Sequence, residues 1–571
     1  MTQVDALSSY PVYAWVQVIG LALSCAGARA ADLYVAPTVS APSAGTFSQP
    51  YKLSTAFSGQ VGHPGDTFWL RGGSYRLGHL DTMLHGAPGA PLTFRAVRGE
   101  EVRIDGSLNL QDTNGYLVFR DFELYSSDTN RISSQTNAGF SPTDIAIIPG
   151  LACYSPNVSL INLVIHDHTG GGIYVVESAI NTLIYGCLVY ENGWRSPDNA
   201  EGHGLYIQAD TGTRTAANNI LFNNSGASMH VYDNRNGLVL SGVVLDGNVA
   251  FGAGAIQHVR PYRDWTIGVD VPAAYADNIV IGNNMGFVPA GASASPQIQI
   301  GRDQTNGNVV ITNNYMPLGL LMNNWRTATV SGNFFAPSPT TYLIDLNQTL
   351  TALKGNWNNN IYICDPTGGE VLLNASPFSF SGWQSVTGYD WDSTFVVGEV
   401  GGVKVFIKPN LFEPGRATIV VYNWNNLNIV SVNVSSVLPW GSQFEVRNVQ
   451  NFFGEPVLSG IFQGQELQLP MTNLTVAPPN APLVTPPSTG PTFGVFLLRM
   501  APNPIQIARA GNSVQVSWQF QAGSDALQTC TNLAVPGSWI DSTQNPLIVA
   551  DKFSITEPAT SKAKFYRLKS R

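Results

Sequence analysis

The chain has 571 residues, of which 44% are hydrophobic and only 12% charged, with 56 glycines and 36 prolines. That length asks for two or three domains, and the glycine and proline content asks for a turn-rich β protein. With 29 basic against 38 acidic side chains the net charge is −9, which excludes nucleic acid and an anionic membrane surface as expected partners.

Residues 1–30 contain an apolar run from Ala14 to Leu23 followed by Ala28-Arg29-Ala30, the small-x-small pattern of an export signal. A secreted, periplasmic or cell-surface protein is therefore expected. Nothing later is long and apolar enough to span a bilayer. Cys153, Cys187, Cys364 and Cys530 lack metal-ligand spacing; a Cys153–Cys187 bridge and buried free thiols both fit their placement.

Residues 31–91 hold a strand (LYVAP), an amphipathic segment near Leu53–Ala56, and PGDTFWLRGGSY at 64–75. From Pro91 to about Ala336 short strands follow one another with Gly, Asn and Asp at the turns. GGIYVVES, GHGLYIQAD, SMHVYDN, AIQHVR and PQIQIGRD alternate apolar with Tyr, His or Gln. Each recurs after roughly 20 to 40 residues, the spacing of stacked coils. The expectation is an all-β chain: a right-handed parallel β-helix over 31–365, a β-sandwich over 366–500 and a small β module over 501–571. The Pro-rich stretch 475–492 reads as a loop or linker.

Asn162, Asn223, Asn248, Asn284, Asn313, Asn333 and Asn356 each stand beside a short apolar strand, most of them at its turn. Asn tolerates the left-handed conformation of a tight corner, and stacked amides can bond from coil to coil, so an asparagine ladder is expected.

Assigning the apolar set inward leaves Tyr174, Tyr206, Gln208, His230, Tyr232, Gln257, Gln297 and Gln299 outside, in neighbouring coils. Aromatic faces with amides between them suit an extended glycan, whose rings stack and whose hydroxyls bond both ways. Arg260, Arg263, Asp264, Arg302, Asp303, Asp210 and Asp233 lie at the downstream end of this strip. Asp210 and Asp233 should stand about one coil apart, a spacing that serves either a carboxylate pair or two ligands of Ca²⁺. His203, between two glycines, reads as a buried histidine bonded to a backbone carbonyl. The loop NGWRSPDNAEG (192–202) is placed to close one end of the strip.

The opening YVAPTVSAPSAGTFSQPYKLSTAFS…GHPGDTFWLRGGSYRL…GAPGAPLTFRAVRGEEVRIDG resembles the entry to the right-handed parallel β-helix proteins of the pectate-lyase-like superfamily, which includes pectate lyases and chondroitinase B/alginate lyase-like enzymes. The resemblance covers roughly residues 31–365 and is specific for the fold. It implies a secreted, monomeric, polysaccharide-active enzyme, with lyase chemistry slightly ahead of hydrolysis. In elimination, Arg302 or Arg260 would neutralise a uronate carboxylate, His230 would be the base, and Tyr232 or Tyr206 the acid. Hydrolysis would use Asp210 with Asp233, or Asp233 with Asp303. A C5-epimerase and a non-catalytic glycan-binding surface protein are the alternatives. The lysine these lyases commonly use is missing from the strip: Lys354 is the only lysine between residues 53 and 403 and lies past it.

Overall fold

The computed structural model describes residues 30–39, 42–289, 298–302, 304–336, 342–347, 354–364, 369–501, 505–519, 525–532, 539–549, 552–559 and 563–570. Residues 1–29, where an export signal is expected, Gln297 and Asp303 lie outside these. Each coil of the helical domain carries three short strands, which stack in register into three parallel faces. Face A runs through Val158–Ile161, Thr182–Tyr185, Arg214–Ala217, Val239–Asp246, Tyr275–Gly282, Asn306–Thr312 and Trp325–Ser331. Face B runs through Val164–His166, Leu188–Tyr190, Ile220–Phe222, Val249–Phe251 and Met285–Phe287. Face C runs through Leu151–Cys153, Ile173–Val175, Leu205–Ile207, Met229–Val231, Trp265–Ile267 and Ile298–Ile300. The last rungs are Gly369–Leu373 on face C and Thr394–Val397 on face B.

Two adjacent positions make the corner between faces A and B. The first takes a left-handed backbone at Asn162, Gly186, Asn218, Gly247, Asn283, Asn313, Gly332 and Asn359, φ between 54 and 69°, which only Gly and Asn adopt cheaply. The second is the ladder. Asn219, Asn248, Asn284, Asn314, Asn333 and Asn360 donate from one amide to the next at 2.8–3.1 Å, and Asn360 ends the row on Asp390. The expected ladder is therefore real, with changed membership. Asn248, Asn284 and Asn333 belong to it; Asn162, Asn223 and Asn313 are left-handed corner residues; Asn356 lies within a face A strand. The described cysteines Cys153, Cys187, Cys364 and Cys530 are buried free thiols, so the Cys153–Cys187 bridge does not form.

Face B is buried on both sides. Its outer row stacks Tyr125, His166, Tyr190, Phe222 and Phe251 ring upon ring at 4.8–5.8 Å. The covering layer is the sandwich, whose five-stranded sheet comprises Val403–Pro409, Ala417–Asn423, Phe493–Met500, Gln443–Asn448 and Leu458–Ile461. Tyr422, Phe452, Phe493 and Val495 join Tyr190, Phe222, Phe251 and Phe287 in one apolar cluster. At one edge Lys408 inserts its Nζ between the carbonyls of Gly247 (2.8 Å) and Asn283 (3.2 Å). At the other edge residues 475–492 are a strap on the B–C corner: Val484 donates to Ile256 O, and Asn480 meets Asp167 and Arg131. With face B covered, the outward side chains of face C carry the candidate chemistry.

Candidate functional site

Face C alternates as its sequence demands, so the outward row reads Tyr174, Tyr206, His230, Thr266 and Gln299 in successive coils. Gln257 is not in it. The stretch AIQHVR is a loop, and its Gln257 is buried, bonding Ser225 O and Arg260 O through Nε2 and accepting from the Val259 and Arg260 amides. Thr266, at the true rung, follows a long insertion that shifts the phase of the alternation. Tyr174 is half-buried: its ring folds back over Gly171, where a Cβ would stand 2.2 Å from the ring.

His230 is the centre of the row. Its Nδ1 lies 2.8 Å from His203 Nε2, which is also 2.6 Å from Glu201 Oε1. The Ala227 amide donates to His203 Nδ1 at 2.9 Å, so the single proton of that imidazole sits on Nε2. It is shared between Glu201 and His230 Nδ1. His230 must then carry its own proton on Nε2, an atom buried without a protein partner. Burial, with the nearby Arg302 and Arg260 guanidiniums, holds His230 well below the ordinary imidazole range. It is a neutral N–H donor, and the expected role of base does not fit its tautomer.

Glu201 and His203 complete this centre. Glu201 ends a two-strand hairpin, Trp194–Arg195 against Ala200–Glu201, built from the loop expected to close the strip. Burial would raise its carboxyl, but the hydrogen bonds from His203 and Tyr262 and the nearby Arg260 charge hold it below the usual range. The Tyr262 hydroxyl lies 2.5 Å from Glu201 Oε2. The readable signal was the Glu-Gly-His spacing of 201–203, which sets both residues at the entrance of one strand.

Around His230 stand two phenols. Tyr206 is its neighbour in the row at 5.3 Å between rings, with Gln208 Nε2 3.5 Å from its hydroxyl. Tyr232 stacks on His230 at 5.1 Å and donates to Asp270 at 2.7 Å. Burial and then the Asp270 hydrogen bond push Tyr232 up to about 12. Arg302 lies over the Tyr232 ring at 5.3 Å and pairs with Asp270 at 2.5 Å. Arg263 reaches Gln299 at 3.4 Å.

The structure brings His230, Tyr232 and Arg302 together and leaves Asp233 out. Asp233 is fully buried, and Arg235 donates to both its oxygens at 3.0 and 2.8 Å. The same guanidinium stands 3.6 Å from Asp210 and 3.7 Å from Glu177. A cation therefore already occupies the space between Asp210 and Asp233, and neither a free carboxylate pair nor a Ca²⁺ ligand set fits there. Among the described residues no group of three or more His, Cys, Asp or Glu is placed to hold a metal ion, and no helix is long and apolar enough to cross a membrane.

Residues 118–262 match a family profile described as a right handed beta helix region. No curated protein matches the chain. Among solved structures it is similar to pectate lyase Pel9A (14% identity, 57% of this chain and 78% of that one, TM-score 0.34). It is also similar to an alginate lyase from Paenibacillus sp. (14% identity, 60% and 96%, TM-score 0.31). A third is PfbA, a surface adhesin of Streptococcus pneumoniae (10% identity, 61% and 86%, TM-score 0.36). Joined to the parallel registers of the three faces, the profile match makes this chain a right-handed parallel β-helix protein.

Proposed function

We propose that the chain cleaves an acidic polysaccharide held across face C, by β-elimination beside a uronate carboxylate. The observation that carries this reading is the locked His230 Nε2–H, a buried donor without a protein partner, set between the phenols of Tyr206 and Tyr232. Neutral imidazole N–H and the nearby Arg302 suit the carboxylate, whose charge grows as the C5 proton leaves. The Tyr232 oxygen takes that proton while its own passes to Asp270 along the 2.7 Å bond. The C4–O bond breaks, a C4=C5 double bond forms, and the Tyr206 hydroxyl protonates the leaving oxygen. Hydrolysis by Asp210 and Asp233 is disfavoured, because Arg235 already engages both.

The test is incubation with a panel of polyuronates, following the ultraviolet absorbance of an unsaturated product. Wild type should produce it, and His230→Ala, Asp270→Asn and Tyr206→Phe should lose it while still binding. Reducing ends without absorbance would replace elimination with hydrolysis. Binding without any product from wild type would leave a glycan-binding protein.

A further inference from the structure

Beside the strip, three loops of the B–C corner are laid against one another. Asn137 N donates to Asp198 at 2.6 Å, Asn199 Nδ2 donates to Gly139 O at 2.6 Å, and the Tyr262 hydroxyl stands 2.6 Å from Ala200 O. Arg131, fully buried, ties the wall to its base by donating to Gly193 O and Glu191 O and by pairing with Asp167. At the rim of this wall Arg260 lies between two aromatic rings, with its Cζ 5.1 Å from the Phe140 centroid and 5.0 Å from that of Tyr262.

This arrangement has no evident structural purpose. Phe140 is 56% exposed, and the Arg260 side chain 42%, so the contact hides little apolar surface from water. What it does is fix a guanidinium. With the rings beside it and Asn199 Oδ1 3.3 Å from Nη1, the fork loses most of its freedom before any ligand arrives. Glu201, at 3.8 Å, neutralises it only in part. A planar fork of this kind matches a two-oxygen anion, and the open side of the Phe140 ring offers a flat apolar face of sugar size.

We infer that Phe140 and Arg260 form a rim subsite for a sugar residue bearing an oxyanion substituent, carboxylate or sulfate, one step off the strip. The glycan then crosses the B–C corner over the loop wall instead of following face C along its length. This inference rests on the proposed glycan activity and adds a second anion site, off the strip, and the path of the chain.

The experiment is calorimetric titration of the full chain with length-matched uronate, sulfated and neutral oligosaccharides, for wild type, Arg260→Gln and Phe140→Ala. Arg260→Gln should weaken the charged ligand about tenfold and the neutral one hardly at all, the scale of one charge-assisted fork. Phe140→Ala, which touches neither Glu201 nor His203, should weaken all three by about three- to tenfold. The uronate and sulfate arms show which oxyanion is preferred. Equal losses for charged and neutral ligands with Arg260→Gln, or unchanged binding in both variants, overturn the subsite. If His230→Ala is inactive while both rim variants bind like wild type, the rim fails and the strip chemistry stands. If His230→Ala is fully active while the rim variants bind weakly, the strip chemistry fails and the rim stands.

Discussion

His203 Nε2 stands 2.8 Å from His230 Nδ1, and the proton between them belongs to His203 because the Ala227 amide fills its other ring nitrogen. A backbone N–H in the next coil after the hairpin thus decides what His230 presents to the strip. His203→Gln removes that constraint without introducing a charge. Turnover should fall by about a hundredfold, the effect of losing one preorganised donor. Circular dichroism and the melting temperature check that the fold is kept. Activity within about threefold of wild type would show that the tautomer is immaterial.

His166 gives a stability prediction with a definite sign. It lies between Asp167 (2.8 Å) and Glu123 (3.0 Å), on the face covered by the sandwich. Burial would lower its pKa, but the bonds to Asp167 and Glu123 overcome this and raise it to about 9. A histidine raised above its unfolded value near 6.5 contributes fully below that pH, and its contribution is lost as pH climbs through the folded value. Glu191 adds in the same direction, since burial raises its carboxyl to about 8. The melting temperature should therefore fall between about pH 6.5 and 8, His166 alone accounting for about 2 kcal/mol; above about pH 8 the lowered Lys408 works in the opposite direction. His166→Asn should flatten the profile; the same slope in the variant would assign the loss elsewhere.

How far the site could be read in advance depended on where insertions fall. Alternation alone placed Tyr174, Tyr206, His230 and Gln299 in one row, because each strand begins on an inward-facing apolar residue. It failed at Gln257, where a loop imitates a strand and Thr266 takes the rung. Glu201 was hidden because a hairpin carries it back to the strand entrance. The docking of the sandwich had a signal: LVY, ILF and VAF are apolar at every position, and strands buried on both faces look like that. Which layer covers them is long-range and left no local trace. The Gly-Asn and Asn-Asn pairs at the corners hid a division of labour, the first residue turning the chain and the second stacking.

The asparagine ladder should be costly to interrupt. Asn284 accepts from Asn248 Nδ2 at 3.0 Å and donates to Asn314 Oδ1 at 3.0 Å, and it is fully buried. Asn284→Ala strands a donor on one side and an acceptor on the other, for a loss of about 2–4 kcal/mol. Chemical denaturation read by tryptophan fluorescence measures it. A change below about 0.5 kcal/mol would mean that water replaces the rung.

Lys408 tests whether the sandwich is held by specific bonds or by apolar contact alone. Burial lowers its pKa to about 8, yet it still donates to Gly247 O and Asn283 O. Lys408→Met keeps the aliphatic stem and leaves two corner carbonyls unpaired, at about 1–3 kcal/mol. Hydrogen exchange should quicken across residues 404–416, which lie along that corner, before it quickens in the face C strands. Uniform acceleration through both domains would show one cooperative unit instead.

Asp233 separates a structural carboxylate from a catalytic one. Its two oxygens are spent on Arg235, and it has no exposure to a substrate on face C. Arg235→Met leaves a buried charge without its counter-ion, a loss of about 3 kcal/mol. Asp233→Asn in the same chain removes the charge, and the pair of changes should recover much of that stability. A catalytic Asp233 would behave differently: Asp233→Asn alone would abolish product with the melting temperature unmoved. The expected result is the reverse, in which the single change Asp233→Asn lowers the melting temperature while product still forms. The ionic knot of Asp210, Asp233 and Arg235 then serves to hold the exit of the His230 strand in place.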